Sequence, residues 1–172
     1  MMIFETERLR VRRYKTGDQD NFFSLNGDQE IMQYIRPAKN RSESDLFFSE
    51  TLFMYENQPG LGRWAVELKA TAAFVGSFAI IPVSGKTGKI QLGYALLKSQ
   101  WGNGFATELT FGGLRFGFEN MKLDIMYAIT EIENIASQKV LRKAGFLEKE
   151  KYTEEGKDLV LLQFYKRDFF SK

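Results

Sequence analysis

The sequence predicts an α+β (mixed α/β) domain built around one central sheet, and two observations carry that expectation. Residues 62–68, 74–81 and 90–97 are three short alternating apolar runs joined by turn-rich linkers, the pattern of an antiparallel meander. After them the chain reads strand, helix, strand, helix, strand, which adds only one or two parallel contacts. With 172 residues, 44% of them hydrophobic, there is enough apolar material for a single domain over residues 1–172.

The elements follow in order. In "RLRVRRYK", residues 8–15, Leu9 and Val11 alternate with outward basic side chains, the period of a strand. Thr16 or Asp18 then offers an acceptor to the free amides of a helix over 18–27, whose apolar side is Phe22, Phe23 and Leu25. Residues 33–41 read as loop. Ser42 followed by Asp45 is a variant capping box opening a second helix, with Leu46, Phe47, Phe53 and Met54 at helical spacing. Within the meander, Gly85-Lys86-Thr87 superficially matches a phosphate-binding loop. An isoleucine stands where the upstream glycine belongs and no helix follows, so the segment reads as a hairpin turn.

Residues 105–120 carry Leu109, Gly112 and Phe116 on one stripe and Phe111, Leu114 and Phe118 on another, an apolar surface wide enough for a largely buried helix. Gly112, Gly113 and Gly117 weaken that helix intrinsically but allow close packing on a sheet. Residues 124–130 form a strand, and 137–143 lie in a helix ending at Gly145. "EKEKYTEEGK" is a charged turn region, and 158–165 is the last strand.

Composition removes whole classes of chemistry. With no cysteine and no histidine there is no disulfide, thiolate nucleophile, Ser-His-Asp triad or ordinary zinc site, and no metal is expected. A net charge of +2, with basic and acidic residues interspersed, gives no footprint for nucleic acid. No run approaches the roughly 18 apolar residues of a membrane span, and "MMIFETERLR" has no signal-peptide core. The expectation is a soluble cytoplasmic protein without a membrane partner, either monomer or homodimer. Carboxylate chemistry, phosphoryl transfer and reactions whose nucleophile and activated group both arrive on substrates remain open.

The segment "QWGNGFATE" separates an alternating run from the long apolar helix. A strand, a glycine turn and a helix start together make an anion site, because free helix amides converge where the helix dipole favours negative charge. A plain strand-to-helix turn is the simpler alternative. A dinucleotide fingerprint fails, since Thr107 replaces the third glycine and the motif lies mid-chain after a meander.

"WGNGFATE" resembles the acyl-CoA pyrophosphate loop of the GNAT family of N-acetyltransferases, in particular its RimJ/RimL-like branch. Gly104-Phe105-Ala106 fits the end of the family pattern, and Trp101 stands where glutamine or arginine is usual. "ETERLRVR" looks like that branch's opening strand, and "NIASQKVLRKAGF" (134–146) like its Asn-x-x-Ser and Gly-Phe element. The resemblance runs from about residue 6 to residue 168. It implies a twisted, mostly antiparallel sheet of about six or seven strands flanked by about four helices, with a parallel pair splayed at the CoA site.

The resemblance also implies acetyl-CoA as co-substrate and a primary amine, on a small molecule or a protein N-terminus, as acceptor. Backbone groups near Leu96 and Leu97 would pair with pantetheine, and amides of Trp101, Gly102, Asn103, Gly104, Phe105, Ala106 and Thr107 would hold the pyrophosphate. Asn134 would bond pantetheine. Ser137 would protonate the departing thiolate, since Leu141 occupies the place of the tyrosine many members use, and helix capping is its simpler role. Lys139, Arg142 or Lys143 would reach the CoA 3′-phosphate or form a solvated face. Gln91 replaces the usual glutamate base, leaving Glu67, Glu131 and Glu133 as candidates through a bridging water, or as surface charges. The alternative is a non-catalytic acyl-CoA-binding or regulatory domain.

Overall fold

A computed structural model describes every residue of the chain except Pro59 and Lys172. Its strands are β1 (Met2–Glu5), β2 (Leu9–Arg12), β3 (Gly62–Leu68), β4 (Phe74–Pro82), β5 (Ile90–Leu96), β6 (Ile125–Glu131), β7 (Leu147–Glu154) and β8 (Lys157–Tyr165). They form one sheet in the order β1-β2-β3-β4-β5-β6-β8-β7. The helices are α1 (Gln19–Asn26), α2 (Gln29–Met32), α3 (Arg41–Asn57), α4 (Phe105–Glu119), α5 (Ile135–Ala144) and α6 (Lys166–Phe169).

Eight strands exceed the six or seven expected, and β1 and β7 account for the excess. β1 is too short to show a period. β7 is the "LEKEKYTE" segment read as a turn; seven of its eight residues are exposed, so no apolar alternation marks it, and backbone pairing with β8 makes it a strand. The short helices α2 and α6 likewise lack a full period. The α3 start is also corrected. Asn40, not Ser42, is the cap: its side chain accepts from the Glu43 amide at 3.0 Å, while the Glu43 carboxylate accepts from the Asn40 amide at 2.8 Å. Asp45 instead pairs with Arg41. The Gly85 segment is the hairpin turn between antiparallel β4 and β5, closed by the Val83 amide donating to Lys89.

Cross-strand registers sort the side chains onto two faces. Trp64, Phe78 and Tyr94 share one row, and Ile80 and Leu92 lie on the same face. These pack with Leu109, Leu114 and Phe118 of α4 in the main core. The α4 glycines allow that approach: a Cβ on Gly113 would stand 2.3 Å from Phe78 Cζ, and one on Gly117 2.4 Å from Met126 Cε. The opposite face carries Arg63, Ala79 and Gly93 in one row and Ala65, Ser77 and Ala95 in the next. It is covered by the first three helices through Phe22 and Phe48, which pack with Tyr14 and Ala65, and through Leu25, Ile31 and Met32, against which Ala95 rests.

Neighbouring strands are antiparallel except β5 and β6, which run parallel and share a single registered pair, Gln91 with Tyr127. Past that pair they part, leaving two strand edges without partners in the middle of the sheet.

Candidate active site

A cavity of about 970 Å³ occupies this parting and reaches both faces of the sheet. Gly93–Leu96 of β5 and Ala128–Glu131 of β6 line its walls. At one end lies the start of α4. Its amides at Phe105, Ala106 and Thr107 precede the first helical bond, from Glu108 to the Gly104 carbonyl, and no side chain among the described residues caps them. Gly102 and Gly104 have φ of 78° and 79°, the left-handed region in which a side chain is strained. A Cβ on Gly102 would meet no protein atom within 4 Å, and one on Gly104 only the Arg8 guanidinium at 3.6 Å. Bare backbone, free amides and a helix dipole aimed at open space fit a pyrophosphate.

Side chains fix this corner from outside. The Trp101 indole N–H donates to the Leu96 carbonyl at 2.9 Å, tying the loop to the end of β5. Arg8 lies over the Phe105 ring and pairs with Glu108 at 2.7 Å. Burial works to raise the Glu108 carboxyl, but the Thr6 hydroxyl and the Arg8 amide and guanidinium outweigh it and hold the group below its ordinary range.

Across the cavity, Asn134 caps α5 by accepting from the Ser137 amide at 3.1 Å. This uses one lone-pair direction of the Asn134 carbonyl and leaves its NH₂ without a partner among the described residues. Capping therefore falls to Asn134, and the Ser137 hydroxyl lines the cavity. Tyr94 stands beside it in the cavity wall. Burial raises its phenol above the ordinary range, against which the Ser137 hydroxyl acts. The Ser137 hydroxyl lies near the buried phenol oxygen, but no group among the described residues stands in hydrogen-bonding geometry with it.

Of the sequence-predicted residues, Leu96, Trp101, Gly102, Gly104, Phe105, Ala106, Thr107, Asn134 and Ser137 all line this cavity. Four do not. Leu97 turns into the cluster of Leu25, Ile31 and Met32, and its amide donates to Val75. Asn103 folds back on the loop, donating to the Gln100 carbonyl at 3.2 Å. Arg142 is exposed and pairs with Glu148 across the α5–β7 junction. Glu67 is the main correction. It is 7% exposed, lies off the cavity, and is held by Arg12 at 2.7 Å and Arg10 at 3.5 Å. A carboxylate so neutralised, four residues along β3 from the cavity-lining Arg63 and so roughly 13 Å away, is not placed to take an acceptor's proton. Glu131 does line the cavity, but pairs with Lys157.

Two further cavity residues escaped the sequence reading. Arg36, in the loop after α2, and Arg63, on β3, lie over the Phe47 ring at 4.9 and 5.1 Å. Arg36 also donates to the Asn26 side-chain oxygen at 3.1 Å. Burial pushes Arg36 down to about 10, with repulsion from Arg63 adding to it, and burial lowers Arg63 as well.

A parted sheet beside a bare helix start is the architecture of an acyltransferase. The chain belongs to the acetyltransferase (GNAT) domain family, whose domain matches residues 8–147. It is 27% identical over 146 residues to the uncharacterised Bacillus subtilis N-acetyltransferase YoaA, covering 84% of this chain and 82% of that one. In fold it is similar to a GNAT-family acetyltransferase of Bacillus anthracis, with a TM-score of 0.83 at 20% identity, covering 97% of this chain and 99% of that one. The Vibrio cholerae spermidine N-acetyltransferase, whose structure holds CoA and spermine, has a TM-score of 0.79 at 19% identity, covering 94% of this chain and 98% of that one.

Proposed function

We propose that the protein is an acetyl-CoA-dependent N-acetyltransferase of the RimJ/RimL-like branch, acting in the cytoplasm as one domain on a primary amine. The observation that carries this reading is the continuity of one cavity from the bare α4 start, through the β5–β6 parting, to Tyr94 and Ser137. Acetyl-CoA supplies the activated acyl group. The amides of Phe105, Ala106 and Thr107 receive its pyrophosphate, while the Asn134 NH₂ and the free β5 edge orient the pantetheine arm. The amine attacks directly in a ternary complex, so the chain needs no nucleophile of its own.

Ser137 gives its hydroxyl proton to the departing thiolate and is reprotonated by the cavity water that takes the acceptor's proton. Tyr94, kept in its protonated form by burial, supports it from the same wall. Gln91 lies at the parting and takes no proton at neutral pH, so the acceptor passes its proton to cavity water. The rate is then expected to rise with pH along the acceptor amine's own titration. Gln91 also favours a second reading, an acyl-CoA-binding domain without turnover.

Calorimetric titration with acetyl-CoA separates these readings. Binding by wild type that is lost in Gly104→Trp establishes the donor site, and absence of binding by folded wild type overturns both. With the donor site established, a Ser137→Ala variant that binds acetyl-CoA normally but turns over about a hundredfold more slowly supports catalysis. No turnover by wild type with any amine supports the sensor.

A further inference from the structure

We infer that the acceptor is an anionic amine, a molecule whose primary amine lies a few bonds from a carboxylate, and that Arg36 and Arg63 receive that carboxylate. The inference rests on the acetyltransferase reading above and narrows its substrate.

The geometry begins with two cations that the chain itself leaves unanswered. Arg36 and Arg63 both line the cavity and share the Phe47 ring, which Lys39 also approaches at 5.4 Å. No carboxylate acts on either arginine among the described residues; what each meets is burial and the phenol of Tyr14, with the other arginine added for Arg36 and the phenol of Tyr55 for Arg63. Partly desolvated like charges held together are costly unless an anion joins them. Arginine's planar fork matches a carboxylate through paired hydrogen bonds.

Their place relative to the reaction centre is equally informative. Arg63 shares a cross-strand row with Ala79 and Gly93, and Ser77 and Ala95 form the next row on the same face. Side chains here are small, and a Cβ on Gly93 would meet nothing within 4 Å. The result is a shallow floor from Arg63 across β4 to the free edge of β5, two strand spacings or about 10 Å wide. This floor lies on the face opposite Tyr94 and the α4 helix. A ligand entering along it approaches the parting from the side away from the pyrophosphate cradle.

The acidic residues lining the cavity are distributed to complement this. Glu30 pairs with Lys98 and Glu131 with Lys157. Glu154 and Glu155 belong to the β7–β8 hairpin, beyond β6 and so on the far side of the parting from Arg63. An amine carrying its own carboxylate can lay the anionic end on Arg36 and Arg63 and direct the ammonium towards the parting. A polyamine would place a positive charge against the two arginines.

The test is steady-state acetyl transfer by the full chain at saturating acetyl-CoA. The acceptors are free amino acids, their carboxamides, tetrapeptides with an acidic first residue, and 1,4-diaminobutane. A carboxylate acceptor is expected to exceed its carboxamide by about ten- to a hundredfold in kcat/KM, chiefly through KM. That preference should collapse in Arg36→Gln and Arg63→Gln while their acetyl-CoA affinity stays unchanged. The faster of the free acid and the peptide identifies the source of the carboxylate. If a variant does not fold, competitive inhibition of wild type by glutarate against the acceptor reads the same site. Preferred turnover of 1,4-diaminobutane, or a carboxylate preference indifferent to both arginine changes, overturns the inference and leaves the acetyltransferase reading standing. No transfer to any acceptor by protein that binds acetyl-CoA overturns both.

Discussion

The two ends of β3 treat charge in opposite ways. At Glu67 every charge is answered from within: Arg12 reaches both Glu67 and Asp18 at 2.7 Å, and Arg10 adds a longer contact to Glu67. At Arg63 no carboxylate among the described residues answers, and Arg36 beside it deepens the imbalance. Both groups project from the same face of one strand. A charge satisfied by its own chain holds the fold together, whereas a charge crowded by its own kind in a cavity is held ready for something else.

The comparison breaks most visibly at Arg12. Its Met substitution leaves Asp18 without its cation and Glu67 with only the longer Arg10 contact, and unfolding in urea should show a loss of about 3–5 kcal/mol. A loss below about 1 kcal/mol would mean that the corner is surface electrostatics like any other.

Acid acts on the same corner with a definite sign. Burial works to raise the Asp18 carboxyl, but Arg12 and the Lys15 amide outweigh it and hold it below its ordinary value. The unfolded chain therefore binds the proton first. This stability is full above the ordinary aspartate range and is lost as pH falls through the folded-state value. The urea midpoint should decline on acidification below about pH 4, and Asp18→Asn should flatten that decline.

The smallest effect belongs to the other end of β3. Arg63→Met removes a partly desolvated cation with no carboxylate beside it, so stability should stay within about 1 kcal/mol of wild type, on the stabilising side. A loss like that at Arg12 would show that Arg63 is structural. Glu67→Gln completes the contrast: acetyl transfer per folded molecule should stay within about twofold of wild type, with a lowered melting temperature.

These two corners also mark the limit of what the sequence reveals. The glycine corner was legible because its chemistry is local: positive φ, free amides and a helix start occupy consecutive residues. Asn134 and Ser137 were legible for the same reason, being three residues apart at one helix start. Glu67 was misread because its partner Arg12 comes from a strand 55 positions away, brought alongside only by the β2–β3 register. Arg36 and Arg63 meet through a loop folded back onto α1, where the Lys39 amide donates to the Asn26 carbonyl. No periodicity encodes that return. β7 was hidden for the opposite reason, since charges along both of its faces erase the alternation by which strands are recognised.

That same strand closes one border of the sheet, where unpaired backbone groups invite another chain to add itself. The run of glutamates and lysines from Glu148 to Lys151 makes the border a poor template, because an incoming strand would meet both charge signs and an irregular register between Glu148 and Glu150. The residues that concealed β7 from a sequence reader thus also guard it against self-association. Replacing them with valine and threonine would make the strand easier to recognise and the protein harder to keep in solution.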